Sequence, residues 1–265
     1  MIEQSLFPVK EYPACYAAGT LAKSDDNQDF NSTGYKFIVR DDTGDVISCV
    51  TDSYKLIRNQ EVVDATLPAM KELGAKLSAV EVFSNARTAW KFTLPDKVEI
   101  AEGDWVNPEV TIKNSYDGSC ELQAFGGAYR LVCSNGLVIG YALEKKSQRH
   151  IIGSMKNIED IPFMIESVIL ATKQVFTNEF PLLVDTKLNS RHVPVIMKEF
   201  PTQVMESLTQ SLIGKKPRNY WELLNCATWV ATHAMKRNVE ATHKLEMKLY
   251  PLVMKLAKSA NRAKA

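Results

Sequence analysis

The chain has 265 residues, of which 45% are hydrophobic and 24% are charged, with 32 basic and 31 acidic side chains. This length suits one large domain or two small ones, and the apolar fraction is ample for a sizeable core. The composition excludes an intrinsically disordered chain, a collagen-like repeat and a disulfide-dense secreted module.

The first half of the chain is predicted to be mostly β-strand. Residues 41–45 are a strong turn signal between two β-type runs and predict a hairpin. A helix is predicted to begin with Asn59 as its N-cap and to end at Gly74. After it, Ser84 and Asn85 mark another hairpin turn. Six strands are predicted beyond the helix, at 77–83, 88–94, 97–100, 110–115, 119–125 and 128–134.

Beyond Gly140 the hydrophobic pattern becomes helical. Four helices are predicted there, at 161–176, 201–213, 220–235 and 240–258, and a basic loop (214–219) separates the second from the third. The order of these elements predicts an α+β fold. A core domain of residues 1–150, a meandering antiparallel sheet crossed by a helix, precedes a helical, basic C-terminal region of residues 151–265.

The remaining sequence features predict no metal, cofactor or membrane anchor. The five cysteines are scattered without a CxxC pair, which predicts reduced thiols, and the four histidines lack the spacing of metal ligands. No apolar run approaches the ~20 residues that cross a bilayer, and the amino terminus has no signal-peptide centre. We therefore expect a soluble, cytoplasmic protein.

Motifs typical of enzymes are missing from the sequence. It contains no GxGxxG, Walker-type or GxSxG motif. Two ExK triplets, at 144–146 and 246–248, fall in helical patterns rather than on a strand, where a metal-dependent nuclease would need them. The expectation is a protein that is not an enzyme, and a nuclease is the least favoured alternative.

The charge is divided unequally along the chain. Residues 211–265 hold eleven basic and three acidic side chains, a net charge of +8, whereas residues 1–210 carry −7. A polyanionic partner explains this asymmetry. An ordinary lysine-rich helical surface explains it equally well, so charge alone leaves both interpretations open.

Ten residues are candidates for nucleic-acid contact. Tyr54, Lys55 and Arg58 combine an aromatic ring with two cations, which suits stacking on bases and neutralising phosphates. A strand-to-helix corner with solvated charges is the alternative. Arg130 lies among apolar strand residues, so it must reach an open sheet face or pair with a buried acid. The other candidates are Lys145, Lys146 and Arg149 in the core domain, and Lys215, Lys216 and Arg218 in the basic loop, which would make a second DNA contact or a subunit contact.

The helix predicted at 220–235 carries Trp221 and Trp229 on one side. Two tryptophans eight residues apart predict a core position rather than a base-stacking platform. Asn225 lies between them, and a buried amide needs hydrogen-bond partners. We expect its side chain to bind a backbone group of the sheet domain.

Three blocks of the sequence carry a family resemblance. They are TDSYKLIRNQEVVD (51–64), NSYDGSCELQAFGGAYRLVCSNGL (114–137) and NYWELLNCATWVATH (219–233). These blocks resemble the signatures of the phage/plasmid-like protein family of unassigned function, whose members occur on bacteriophages, plasmids and integrative elements. The resemblance covers residues 34 to 240 and names no activity. Family members often have histidine where this chain has Tyr116.

The order of the predicted elements is also similar to the core of the Rad fifty-two-type single-strand annealing proteins, which include several phage proteins. This topological similarity implies a homo-oligomeric ring or filament that holds single-stranded DNA along a basic groove. Such a protein needs backbone neutralisation and base presentation rather than an active site. The similarity is compatible with a phage exonuclease or single-strand binding protein as a partner.

The leading hypothesis is a phage-type protein that binds single-stranded DNA and anneals complementary strands in recombination or replication, in the cytoplasm of a bacterial host. The alternative, from another class, is a non-enzymatic host-interaction protein whose basic helices bind an acidic protein. A gel shift with a single-stranded oligonucleotide distinguishes them.

Overall fold

The computed structural model describes residues 1–17, 30–120, 122–130, 135–138, 158–235 and 239–262. Within these ranges the chain forms nine β-strands and seven α-helices, so the predicted α+β class is confirmed. The strands are β1 (Val9–Ala17), β2 (Phe30–Arg40), β3 (Val46–Thr51), β4 (Lys76–Phe83), β5 (Arg87–Thr93), β6 (Val98–Ala101), β7 (Asp104–Ser115), β8 (Gln123–Arg130) and β9 (Asn135–Val138). The helices are α1 (Asn59–Glu72), α2 (Ile161–Asn178), α3 (Phe180–Asp185), α4 (Val193–Met197), α5 (Met205–Lys215), α6 (Tyr220–Ala234) and α7 (Val239–Arg262). Among the described helices, none combines the length and hydropathy of a bilayer-crossing segment.

The strands pair antiparallel, as predicted, but they form two sheets rather than one. β1, β2 and β3 make a three-stranded sheet in that order. The second sheet has six strands in the order β4-β5-β7-β8-β9, and β6 pairs with the first residues of β7. Helix α1 follows β3 and separates the two sheets along the chain, so β4 begins a new sheet instead of extending the first.

Both predicted hairpin turns are present. Residues 41–45 join β2 to β3, and Ser84 and Asn85 join β4 to β5. Ser84 and Asn85 have φ of 51° and 55°. Two successive residues in the left-handed region are what a tight hairpin needs to match the twist of its strands.

Helix α1 has a different N-cap from the predicted one. Arg58 is the N-cap residue, and its backbone N–H donates to the Glu61 carboxylate at 2.7 Å. Asn59 is instead the first helical residue, and its side chain is buried. The predicted end is confirmed: Gly74 follows the helix with φ of 64°, a conformation that glycine adopts without a Cβ clash.

Strand β8 runs through Gly126 and Gly127, where the sequence predicted a break between two strands; residues 131–134 of the second lie outside the described residues. A Cβ built on Gly126 would lie 2.0 Å from the Thr172 hydroxyl oxygen and 3.3 Å from its Cβ. The prediction of a break was wrong because Gly126 allows close packing of α2 on the sheet and does not mark a turn.

Helices α1 and α2 cover one face of the six-stranded sheet. Even-numbered residues of β5 and β7 point toward them, as the two-residue period of a strand requires. The shared core consists of buried side chains from both layers: Val62, Val63, Met70, Trp90, Phe92, Val110, Ile112, Ile161, Ile165 and Val168.

The C-terminal helices pack on β8 and on the amino-terminal end of β7. Val106 and Ala128 from these strands belong to the same buried core as Phe180 of α3, Leu224 of α6 and Leu249 of α7. The sheet and the helical region are therefore in direct contact.

Helices α2, α5, α6 and α7 correspond to the four predicted ones. The chain before α5 forms a short 3-10 helix (Thr202–Val204), and α5 extends into the predicted basic loop as far as Lys215. The short helices α3 and α4 were not predicted. The predicted domain boundary, between residues 150 and 151, lies outside the described residues.

Candidate nucleic-acid interface

Tyr54 is part of the corner between β3 and α1. It is half-buried, and its hydroxyl donates to the Ser115 carbonyl at 2.7 Å. Burial raises the pKa of this hydroxyl to about 12. The Tyr54 carbonyl accepts from Lys36 at 2.7 Å, and Lys36 forms an ion pair with Glu11 at the same distance. These contacts favour the structural interpretation of Tyr54 over a freely displayed stacking ring.

A buried polar network fixes this corner. Its members are each at most 3% exposed, and we call them the corner network: Ser5, Asn59, Thr88, Asn114 and Tyr116. The Asn59 amide nitrogen donates to the Ser5 carbonyl at 2.8 Å and to the Thr88 hydroxyl at 3.0 Å. The Asn114 amide nitrogen donates to the Asn59 side-chain oxygen at 2.9 Å and to the Ile57 carbonyl at 2.8 Å. The first two signature blocks of the sequence therefore meet in one place and satisfy each other's polar groups.

Tyr116 completes the corner network. Its hydroxyl accepts from the Asn59 backbone N–H at 2.8 Å, and its carbonyl accepts from the Ser48 hydroxyl at 2.5 Å. Burial raises the pKa of the Tyr116 hydroxyl to about 12. In this chain the position therefore holds a neutral hydrogen-bonding group at the start of α1.

Lys55 and Arg58 lie on the outside of this corner. Both side chains are exposed, and neither forms an ion pair with an acid in the described part of the chain. They remain available to phosphates. The other predicted contacts of the core domain cannot be placed, because the side chains of Arg130, Lys145, Lys146 and Arg149 lie outside the described residues.

The three cations of the predicted basic loop have different surroundings. Lys215 is the last residue of α5, and its ammonium lies 5.4 Å from the centre of the Trp229 ring. Lys216 is exposed and adopts a left-handed backbone with φ of 44°, which ends α5. Arg218 lies 3.3 Å from the Glu222 carboxylate and also donates to it through its backbone N–H.

Two groups of predicted cations lie at opposite ends of β7. The first group is Lys55 and Arg58 at the corner, and the second is the basic loop with Lys215, Lys216 and Arg218. Asp104, the first residue of β7, accepts from the Trp221 indole N–H at 2.8 Å, three residues beyond Arg218. Asn114, near the last residue, binds Asn59, next to Arg58. Ten strand residues span about 33 Å at ~3.3 Å per residue. One molecule therefore does not bring all the predicted cations into one patch.

A further set of cations, missing from the sequence predictions, follows α7. Lys248, Lys255 and Arg262 are exposed and recur every seven residues, which places them on one side of the helix. Leu249 and Val253, on another side, are fully buried. No carboxylate among the described side chains pairs with the three cations, which we call the α7 stripe. Their seven-residue repeat is the sequence signal that would have identified them.

A groove of about 420 Å³ lies between α5 and α6. Six residues line it: Ser207, Gln210, Ser211, Gly214, Lys215 and Trp229. The Trp229 indole is half-buried and stacks on His233, with 4.9 Å between ring centres. The groove therefore combines an ammonium, an aromatic ring and several hydroxyl or amide groups.

The other predictions for α6 have mixed outcomes. Trp221 is 3% exposed and belongs to the core, as predicted. Asn225 is buried, as its position between the tryptophans suggested. However, its amide nitrogen has no hydrogen-bond partner in the described part of the chain, so the expected backbone partner is not found there.

One buried acid lies on the sheet face opposite α1 and α2. Glu109 is 4% exposed, and burial raises the pKa of its carboxyl above the ordinary value. The Thr93 hydroxyl donates to it at 3.2 Å. The described residues contain no group of three or more His, Cys, Asp and Glu side chains that could hold a metal ion.

The fold and these surfaces define an α+β protein with a buried polar corner and a basic helical region. Residues 46–245 match the family described as a domain of unknown function, DUF932. Because the match covers more than half of the chain, the protein belongs to the DUF932 family. No curated protein matches it, and no solved structure does.

Proposed function

We propose that this protein binds single-stranded DNA and anneals complementary strands, without catalysing a reaction, in the recombination or replication of a phage or plasmid. The observation that carries the proposal is the α7 stripe: Lys248, Lys255 and Arg262 point outward together with no described carboxylate partner. Unpaired cations in a row suit a chain of phosphates, since each can displace condensed counterions. The phage and plasmid context comes from the resemblance of the three signature blocks.

The length of the stripe supports an oligomer as the functional form. Lys248 and Arg262 are fourteen residues apart, which is about 21 Å along an α-helix. At about 3.4 Å per nucleotide of a stacked strand, this covers about six phosphates. Several subunits in a ring or filament would extend the basic surface and hold enough nucleotides for pairing. A phage exonuclease or single-strand binding protein, in the bacterial cytoplasm, would be a suitable partner.

Annealing requires little chemistry from the protein. Repulsion between two phosphate backbones opposes pairing, and cations along one strand reduce it. The bases must then remain open to a second strand. Exposed lysine and arginine side chains on one side of a helix would meet both requirements, because they would contact the backbone and leave the base edges free.

The test is the salt dependence of DNA binding. Fluorescence anisotropy of a labelled oligothymidylate, measured from low to physiological ionic strength, is expected to show a steep linear fall of log affinity with log salt. A fluorophore–quencher pair on complementary strands is expected to anneal faster with the protein than without it. A flat salt response, or no faster annealing, contradicts the proposal. Loss of the oligonucleotide in the presence of Mg²⁺ would indicate a nuclease.

The second candidate is an interaction protein that binds an acidic protein partner. Binding to a protein, whatever its charge, is favoured by the outer face of the three-stranded sheet, where Tyr12, Tyr35 and Phe37 are 47%, 49% and 37% exposed. Tyr12 lies directly opposite Phe37, so their rings share one apolar surface. The absence of any oligonucleotide complex at micromolar protein, together with binding to immobilised polyglutamate, would support this candidate instead.

A further inference from the structure

We propose that the outer face of the three-stranded sheet stacks the bases of a bound single strand. The outer face is the side of β1, β2 and β3 that points away from the core, and its aromatic members are Tyr12, Tyr35 and Phe37. The inference deepens the proposed function and rests on it, because it concerns how bases are held once the α7 stripe binds phosphates.

The strand register places the three rings next to one another. Tyr12 of β1 lies directly opposite Phe37 of β2, and Cys49 of β3 lies opposite Phe37 on its other side. Tyr35 shares the face of Phe37, because it lies two residues earlier on the same strand, about 6.6 Å away. Opposed side chains of an antiparallel pair are about 5 Å apart at Cβ. Rings at these separations on a sheet can stack two or three bases.

The opposite side of this sheet faces protein. Ile38 is fully buried, Val50 is 8% exposed, and both belong to the core that contains Tyr116. Ile38 follows Phe37 along β2, so the alternation of a strand turns Phe37 outward. The sheet backbone therefore holds the rings in place while the core leaves them open to a flat ligand.

The size of the outer face favours bases over a protein partner. Three strands about 4.8 Å apart and four residue steps of ~3.3 Å give a face of roughly 14 Å by 13 Å, or about 200 Å². A stable protein interface buries about 800 Å² on each partner, so a protein would need much further surface around this face. Two or three stacked bases need little more than the rings themselves.

The charge of the outer face is close to neutral. Among its described positions, the only charged side chain is Lys10, which forms an ion pair with Asp41 at 2.9 Å. Lys55 is exposed just beyond the end of β3, where it offsets the charge of Asp52. A neutral aromatic surface suits the uncharged flat side of a base, and stacking on it needs no ion pair.

Stacking of this kind would also serve annealing. A ring covers the flat side of a base, so the hydrogen-bonding edge of that base stays open to a second strand. The α7 stripe would then hold phosphates, and the outer face would hold bases.

The first experiment separates the contribution of bases from that of phosphates. Anisotropy compares a labelled oligothymidylate with an oligonucleotide of the same length in which every base is replaced by an abasic site. The proteins are the wild type, Phe37→Leu, Tyr12→Leu/Tyr35→Leu/Phe37→Leu and the control Phe163→Leu. Leucine keeps an apolar side chain and removes the ring. Phe163 lies on α2 and is 71% exposed, so the control removes an open ring from another surface.

We expect the wild type to bind the oligothymidylate about a hundredfold more tightly than the abasic strand, as two stacked bases at about tenfold each predict. This ratio should not change with salt, because both strands carry the same phosphates. Phe37→Leu should weaken oligothymidylate binding about tenfold, and the triple variant should bind both strands equally. Phe163→Leu should match the wild type. Unchanged binding of the abasic strand shows that each variant is folded.

The second experiment needs no substitution on the outer face. Cys49 is exposed and lies opposite Phe37, so a base stacked there would shield its thiol. Alkylation of Cys49 by iodoacetamide, followed by mass spectrometry, should slow at least fivefold when the wild type is saturated with oligothymidylate. Saturation with the abasic strand should leave the rate unchanged.

The outcomes distinguish this inference from the proposed function. Binding of neither strand contradicts the proposed function and, with it, the inference. Equal binding of both strands by the wild type, with a steep salt dependence, supports the proposed function and overturns base stacking. An equal loss in Phe163→Leu and Phe37→Leu also overturns it. Slower alkylation of Cys49 at higher protein concentration without DNA would mean that a second copy of the chain covers the face, and it would overturn base stacking as well.

Discussion

The corner network and the α7 stripe use polar groups in opposite ways. At the corner, Asn59 and Asn114 are buried, and each donates two hydrogen bonds to protein acceptors. Along α7, three cations face solvent with no described acid beside them. Polar residues that look equally distinctive in sequence thus have different roles: those at the corner stabilise the fold, and those on α7 remain available to a partner. Variants of the two regions should therefore differ in their effects.

The largest effect on stability is expected at the centre of the corner network. Asn59→Ala removes two donated hydrogen bonds and leaves the Asn114 amide with one acceptor fewer in a buried site. The free energy of unfolding should fall by about 3 kcal/mol, since each unmatched buried polar group costs about 1–3 kcal/mol. Urea denaturation measures the change.

A substitution at the next residue, Gln60, is the matched control for Asn59→Ala. Gln60 is exposed and its side chain donates to Asp64 at 2.8 Å. Gln60→Ala should change stability by less than about 0.5 kcal/mol, as surface substitutions usually do. DNA binding of folded Asn59→Ala should match the wild type; a specific loss of binding would show that the corner itself contacts DNA.

The second largest effect is expected on binding. In Lys248→Gln/Lys255→Gln/Arg262→Gln, the slope of log affinity against log salt should become shallower by about 2, at ~0.7 for each lost phosphate contact on a single strand. At about 0.1 M salt this corresponds to about a hundredfold loss of affinity. Anisotropy titrations at several salt concentrations give the slope.

The control for this variant removes the same charge elsewhere. Lys10, Lys71 and Lys76 are exposed and lie away from α7, so Lys10→Gln/Lys71→Gln/Lys76→Gln changes the net charge equally. For this control variant, the slope of log affinity against log salt should equal that of the wild type within experimental error. If both triple variants lose the same affinity, overall charge rather than the α7 stripe drives binding.

A third effect concerns the alkaline limit of stability. Burial raises the pKa of the Tyr116 hydroxyl to about 12, above the value near 10 of an unfolded tyrosine. The folded protein therefore holds this proton more tightly, and the resulting stability is complete below pH 10 and is lost as the pH rises through 12. The free energy of unfolding should fall by about 3 kcal/mol across this range, at about 1.4 kcal/mol for each pKa unit, and denaturation at fixed pH values measures the fall.

Tyr116→Phe provides the comparison for that measurement. It should be less stable at neutral pH, because the Asn59 backbone N–H loses its acceptor. Its stability should then depend less on pH between 10 and 12 than that of the wild type. An identical alkaline decline in both proteins would exclude Tyr116 as its source.

The smallest effect is expected for the ion pairs of the three-stranded sheet. Lys10 lies 2.9 Å from Asp41, but its side chain is 59% exposed. Lys10→Gln should therefore leave the free energy of unfolding within experimental error of the wild type and leave DNA binding unchanged. Thermal unfolding of this variant measures its stability, and anisotropy measures its DNA binding. A large loss of binding would mean that the three-stranded sheet, and not α7, holds the phosphates of the DNA.

The sequence predicted turns and helix ends well where they depend only on the backbone conformation of neighbouring residues. The hairpin at Ser84–Asn85 and the stop of α1 at Gly74 follow from backbone conformations that few residues adopt. Gly126 was misinterpreted, because whether a glycine marks a turn or a close approach depends on Thr172, far along the chain.

The candidate site was harder to predict for the same reason. The sequence shows that Tyr54 is aromatic, but not that its hydroxyl binds Ser115, 61 residues away. Asn59 was predicted as an N-cap from its type alone, whereas its partners come from β5, β7 and the amino terminus. By contrast, the α7 stripe depends only on helical periodicity, so the sequence contained it.

The contact between Gly126 and Thr172 also has a consequence for comparing related chains. Position 126 accepts a hydrogen atom but no carbon as its side chain, as long as α2 carries a branched residue at 172. A relative with alanine at position 126 should therefore show glycine or alanine at position 172, or a wider gap between helix and sheet. Paired changes at these two alignment columns would report how closely the layers approach across the family.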